Sequence, residues 1–459
     1  MPKDIPSTET QDEPSRAPLV IIALATLVSL ATFSAPLTAL EAMTASLSLS
    51  SAEQAWVMSA MPLGCAVGLL SAGALGDTLG RRRTFVGGLV LMALASVAAA
   101  LSPTGFMLII ARVVQGLGSA GVMACGLGLL GQVYHGAARQ RAAAIWAAGL
   151  GGGAASGPVL TAMLLPVGDW MAAHWLLAVV SGVLAVQSEK LPESARIPHR
   201  VDIAGSILLM IGLSCLLAAL TELRMGLTAT VVALVGIAVV ALCIFVRIER
   251  RVSNPILRLD LFGHAPFIGA TLAALASGAG VLSLMSLVPT FLERGIGLDP
   301  FAASLITLAW SGVTVIAAVG ARYLPQGLTP RAQVYLAILG CALGQLLLLL
   351  SWDGMSWWVV LPGLLVAGMA NGILNAALGH AAVESVPPER STMGSAANNT
   401  ARYIGSALGI ALVSVLIASS REGDFFTHWH QAVLATSLMS LLGLLAMVLL
   451  NRQDQRQAA

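Results

Sequence analysis

The sequence predicts an all-α polytopic membrane protein with fourteen transmembrane helices and both termini in the cytosol. Three observations predict it. Fourteen apolar stretches, each long enough to cross a bilayer, run from Pro18 to Asn451; a helical span needs roughly 20 apolar residues, and lipid-facing backbone must satisfy its own hydrogen bonds. Charged residues make up 10% of the 459 positions and hydrophobic residues 57%, whereas soluble domains carry about 25% charge. Basic residues are also sorted by loop. With Met1 inside, nineteen of the 24 Lys and Arg lie in inner loops and tails, while Arg224, Arg294 and Arg421 lie outside and Arg112 and Arg402 within spans, the asymmetry that sets orientation.

The elements follow in order. Residues 1–17 mix both charges with three prolines and read as a disordered cytosolic tail. Span one, 18–40, is too long for a signal h-region and is taken as retained. Spans 54–75, 84–102, 105–131, 140–165 and 170–189 complete a six-helix unit over 18–200. The longest polar connections, Gln187 to Arg200 and Arg247 to Gly263, bracket spans 201–222 and 226–247, so 201–263 reads as an inserted helix pair. Spans 264–292, 300–323, 332–351, 355–384, 397–420 and 428–450 form a second six-helix unit over 264–451, and 452–459 is a closing cytosolic tail. Substrate sites of such repeated bundles lie between the halves near the midplane. Trp56, Trp170, Trp175, Trp352, Trp357, Trp358 and Trp429 sit near outer ends, as an interfacial belt would; Trp146 and Trp310 fall within spans.

Composition excludes several functions. A net charge of +2 offers no footprint for nucleic acid. Cys65, Cys125, Cys215, Cys243 and Cys341 lie inside spans without paired spacing and read as buried small hydrophobes. The histidines show no metal pattern, and His428 and His430 share what reads as a short loop. No metal and no cofactor are expected. Without a Walker A sequence, ATP is not the expected energy source, and without an H-E-x-x-H motif or opposed deep acids an intramembrane enzyme is not supported.

Four features carry the candidate chemistry. Gly73-Ala-Leu-Gly-Asp77-Thr-Leu-Gly80-Arg81-Arg82-Arg83 joins spans two and three: glycines permit a sharp turn, and Asp77 can pair with arginine or a helix N-terminus. Topology determination explains this loop equally well. Arg112 lies about seven residues inside span four, roughly 10 Å deep, where a guanidinium needs a partner or a water-filled cavity and is a functional hypothesis by default. Gly149, Gly151, Gly152, Gly153 and Gly157-Pro158 in span five permit close helix approach and a kink. Mid-span Gln115, Trp310, Gln345, Asn371, Asn375 and His380 can line a cavity, although inter-helix hydrogen bonding serves as well. Scarce deep charge favours a neutral, amphipathic or weakly charged substrate.

The loop between spans two and three resembles the signature G-x-L-a-D-r-x-G-r-r of the major facilitator superfamily, with Thr78 at the first basic place. The resemblance implies the major facilitator fold, two six-helix bundles plus two additional helices, and a conformational latch at Gly73, Asp77, Gly80 and Arg81. Arg112-Val-Val-Gln115-Gly116-Leu-Gly118 resembles the family's second motif, implying a role for Arg112 in proton transfer. Gly153, Gly157 and Pro158 match its antiporter motif, while Thr161 and Ala162 replace the terminal glycines. Leu191-Pro-Glu-Ser194, Asn254-Pro-Ile-Leu-Arg-Leu-Asp-Leu-Phe262 and Asn399-Thr-Ala-Arg402-Tyr-Ile-Gly405 extend the likeness to the fourteen-span drug:proton antiporter group. Arg402 reads as snorkelling to the cytosolic interface.

One departure stands out. The group's span-one aspartate position holds Thr32, and Glu41 replaces a proline about 13 Å farther out, where interfacial placement and a coupling role are both open. The resemblance implies secondary efflux of small organic, drug-like compounds across the bacterial inner membrane by alternating access with protons as co-substrate, the lipid bilayer as surroundings and a monomer as the working unit. An exchanger or uniporter for one metabolite, without proton coupling, is the alternative that Thr32 favours.

Overall fold

The computed structural model describes residues 16–194, 202–223, 226–252, 255, 257, 259–325, 328–386, 391–418 and 424–458. Among these residues the regular structure is entirely helical: α1 Ala17–Ser34, α2 Pro36–Leu47, α3 Ser51–Leu79, α4 Arg81–Ala100, α5 Gly105–Val133, α6 Gly136–Ser188, α7 Ile203–Glu222, α8 Ala229–Glu249, α9 Ala265–Ser277, α10 Ser283–Ile296, α11 Pro300–Gly320, α12 Pro330–Leu347, α13 Leu361–Glu384, α14 Ser391–Ala418 and α15 Phe425–Ala458. A π-helical turn, Gly278–Leu282, joins α9 to α10.

Among the described residues twelve helical segments are long and apolar enough to cross a membrane. The 53-residue α6 contains non-helical Gly168 and Asp169, which divide it where the sequence predicts two spans. α14 is 28 residues long, with Asn398, Asn399, Thr400 and Arg402 in its first half and an apolar second half. The chain thus carries about twelve to fourteen apolar helices. The stretch Asn254–Arg258 lies partly, and the tail 1–15 wholly, outside the described residues.

Local sequence sets the boundaries. Ser50 and Glu53 form a reciprocal capping box at α3, satisfying two otherwise orphaned amides. Asp299 accepts from Phe301 and Ala302 at the start of α11, with Pro300 at the position where a missing N–H costs nothing. Gly80, at φ +110°, separates α3 from α4. Pro36 ends α1: without an N–H it cannot bond the Thr32 carbonyl four residues back, and the chain restarts as α2.

Packing is built on close backbone approach. A Cβ at Gly149 or Gly157 would meet the carbonyl oxygens of Ala23 or Ala31 at 2.8 and 2.6 Å, and one at Gly153 would land on that of Leu27. Two stripes of i, i+4, i+8 residues therefore seat α1 directly on α6. One apolar core draws on residues between Ala273 and Met447, and others on residues 22–191 and 39–170. α7 and α8 pack together, and α7 reaches α3 and α14. Most of α3 is buried (94%) and little of α8 (22%), which puts α3 inside and α8 at the periphery.

Two sequence expectations change. Trp170 and Trp429 are fully buried instead of belonging to the interfacial belt; Trp429 stacks on Phe291 at 4.1 Å, and Trp170 meets His174 edge-on. Trp175, Trp352, Trp357 and Trp358 are exposed. His428 and His430 lie in α15, not in a loop, and His430 Nε2 is 2.9 Å from the Ser351 carbonyl. In both cases an apolar partner helix or an unpaired carbonyl, neither visible locally, decides the outcome.

Candidate translocation pathway

Arg112 is fully buried in α5 and bonded entirely to neutral oxygens. Its Nη1 donates to the Thr32 carbonyl at 2.6 Å and to Gln115 Oε1 at 3.0 Å. Nη2 donates to the Phe33 carbonyl at 3.1 Å and Nε to that of Val57 at 3.4 Å. The Thr32 carbonyl is available because Pro36 cannot use it. Proline chemistry in α1 thus creates the acceptor that the buried cation needs. The Thr32 hydroxyl turns away and donates to Val28, so the backbone at this position meets the guanidinium in place of a carboxylate. Gln115 passes its amide to Ser96 at 2.9 Å and is completely buried; it supports Arg112 and does not line open space. His174, also buried, has an Nε2 without a partner, and no local pattern distinguished it from the other histidines.

Contacts cross between the N- and C-terminal helices at several levels. Thr38 Oγ1 lies 3.0 Å from Ser304 Oγ, and Leu37, Met58 and Ile410 pack together at the same end. Farther along, Tyr403 of α14 packs with Cys65, Ala66 and Leu69 of α3. Trp310 of α11 is buried with its Nε1 unpartnered, and Asn371 Nδ2 reaches Thr314 Oγ1 at 3.5 Å. Asn371 and Asn375 each keep a buried Oδ1 without a bond. Arg402 is half-buried, with its Nε enclosed and unpartnered, one residue from Tyr403.

The loop between α3 and α4 is tied within the N-terminal helices. Arg81 Nη2 is 3.0 Å from Asp77 Oδ1. The N-terminus of α4 is capped from afar: the Arg81 amide donates to Ser194 Oγ at 2.9 Å and the Arg82 amide to Glu193 Oε1 at 3.0 Å. Glu193 also lies 3.6 and 3.8 Å from the Arg82 and Arg83 guanidinium groups, and a Cβ at Gly80 would strike its carboxylate at 2.5 Å. Gly73 faces open space. The sequence signal for Glu193 is the Leu-Pro-Glu-Ser string, but nothing local names its target. Glu193→Gln weakens both cap and ion pairs, so unfolding free energy should fall by about 1–2 kcal/mol, measured as a lower thermal midpoint in detergent; an unchanged midpoint removes Glu193 from that role.

Glu41 is exposed on α2. It lies near enough to half-buried Glu293 of α10 to act on it electrostatically, as does Asp299, and Glu293 Oε1 is unpartnered. Pro158 follows Gly157 inside α6, beside the contact with Ala31. Among the described residues no group of His, Cys, Asp and Glu could hold a metal ion.

A helical bundle apolar enough to span a membrane, with a buried arginine, unpartnered amides and a hydroxyl contact between its N- and C-terminal helices, has the parts of a membrane transporter. The sequence matches the profile of the Major Facilitator Superfamily over residues 22–410, and the chain belongs to that family; it is a transporter, not an enzyme. It is similar to the multidrug resistance protein Stp of Mycobacterium tuberculosis, 29% identical over 82% of this chain and 71% of that one. It is also similar to the methylenomycin A resistance protein of Streptomyces coelicolor, 27% identical over 99% and 96%. Its fold is shared with the crystal structure of a D-xylose-proton symporter, with a TM-score of 0.68 at 15% identity over 94% and 96% of the two chains.

Proposed function

We propose that the chain exports small organic, drug-like compounds across the bacterial cytoplasmic membrane by alternating access, exchanging them for protons. The observation that carries this reading is its likeness to antibiotic and multidrug resistance proteins along nearly its whole length. In this reading fourteen spans run N-in and C-in. The helices of 18–200 and 264–451 form two six-helix bundles, α7 and α8 are inserted between them, and a monomer embedded in lipid is the working unit. The Thr38–Ser304 and Leu37–Met58–Ile410 contacts close the outer mouth. Among the described residues Asp77 and Arg81 engage each other and not the opposite bundle, which supports a cytosol-facing state with the latch released. Arg112 organises the proton path, and Trp310, Asn371 and Asn375 face substrate.

A second reading, exchange or uniport without protons, is favoured by one observation: the groups bonded to Arg112 are carbonyl and amide oxygens, with no carboxylate among them. Proteoliposomes separate the two. Substrate addition should move protons, and an imposed pH gradient should drive uptake against the substrate gradient; indifference to pH retires the antiport reading. Glu41→Gln should flatten the pH dependence of flux, because Glu41 acts electrostatically on Glu293 where α2 meets α10. An unaltered pH profile removes Glu41 from coupling. In a host stripped of its own pumps, expression should raise resistance to toxic organic compounds.

A further inference from the structure

We propose that Arg402 binds the anionic oxygen of an amphipathic organic acid, a carboxylate or phenolate, in the space between the two halves. The inference rests on the transport reading and names the substrate class for its central site.

Position comes first. Along α14, Gly405 and Gly409 press on the α9 side, against Leu275 and Ala279, and Asn398 donates to the Ala270 carbonyl. Tyr403 packs instead on Cys65, Ala66 and Leu69 of α3. At 100° per residue, Arg402 lies about 40° from Asn398 and about 100° from Tyr403 on the helical wheel. Its side chain therefore leaves α14 between the α9 seam and the α3 seam, toward the boundary of the halves. Its carbonyl is wedged on Gly278 of the π-helical turn, a feature that recurs at functional sites. Ser406, one turn on along the same face, is buried with an unpartnered hydroxyl.

Chemistry comes second. The two intramembrane arginines are treated oppositely. Arg112 has four oxygen acceptors, whereas Arg402 has no bonded oxygen among the described residues and an Nε that is buried and bare. Arginine cannot relieve this by losing its proton, and a half-buried cation within a span is costly without a partner. Intramembrane charge of this kind marks a transport path. Of the acids at the molecule's ends, Asp77 and Glu193 pair with arginines at one, while Glu41 and Glu293 lie near each other at the other. A planar guanidinium is matched by a carboxylate, and Leu30 and Leu150, which pack on the adjacent Tyr403 cluster, suit an aromatic or aliphatic body.

The test is calorimetry on the full chain in nanodiscs of uncharged lipid at neutral pH, with 2-naphthoate and its neutral isostere 2-naphthamide. Naphthoate should bind about tenfold or more tighter, the scale of one charge-assisted hydrogen-bonded pair. Arg402→Gln should erase the preference and leave naphthamide affinity within about twofold. Asn399→Asp, nearly isosteric and one turn away, should erase it by supplying Arg402 with a resident anion. No naphthoate binding to the unmodified chain, equal binding of both ligands, or a preference that survives in either monodisperse variant overturns the proposal. A preference without flux retires the exporter reading alone, and flux without a preference retires this site alone.

Discussion

Replacing Arg112 with alanine should abolish flux and also destabilise the protein by about 3–5 kcal/mol, the scale seen when one member of a buried charged network is removed. The reason is the number and origin of its acceptors. Thr32 and Phe33 belong to α1, Val57 to α3 and Gln115 to α5. Alanine would leave the Thr32, Phe33 and Gln115 oxygens without this donor, while the Val57 carbonyl keeps its place in the α3 helix; each buried loss costs about 1–3 kcal/mol though not additively. Depth alone suggests a purely functional arginine whose loss spares the fold; the hydrogen bonds make it a fastener of three helices as well. Arg112→Lys keeps the charge with three donors for four acceptors, so its stability should fall between the two. Thermal midpoints in detergent and substrate flux in everted vesicles check both effects. An alanine variant with unaltered midpoint and flux would refute the role.

The second large effect is expected at Gly153. Leucine there must displace the Leu27 carbonyl of α1, and because the stripe from Gly149 to Gly157 seats α1 along its length, no local side-chain adjustment can absorb it. Overpacking commonly costs 1–3 kcal/mol, and backbone obstruction should exceed about 3 kcal/mol. The expected result is loss of monodisperse protein on size exclusion. Gly152→Ala is the matched control: its Cβ would meet only Leu27 Cδ1, at 3.6 Å, so it should behave as the parent. Gly153→Leu that purifies and transports normally would show that the α1–α6 seam is not closed as described.

Arg112 illustrates what sequence reading can reach. Its depth in an apolar stretch was legible because hydropathy reports burial directly, and so was its candidacy for function. Its partners were not, since a carbonyl freed by Pro36 acquires meaning only when α1 lies beside α5. The same holds for Glu193 and Ser194: the motif loop was plain, but a cap supplied from more than a hundred residues away has no local signature. Linear distance to the helix end is all a sequence offers for Arg402, and that distance suggests snorkelling. Rotation about the helix axis, fixed by the α9 and α3 seams, turns it inward. Trp429 was assigned to an interface on the same one-dimensional ground, and stacking on Phe291 places it in the core.

By itself, the sequence determined that the chain is helical, membrane-spanning and of the major facilitator kind, because length, apolarity and short motifs are local quantities that lipid enforces span by span. Tertiary structure alone decided which buried polar groups are satisfied and which are left open. Hydrogen bonds between helices depend on rotation and register, and small residues allow those to vary without changing the hydrophobic pattern.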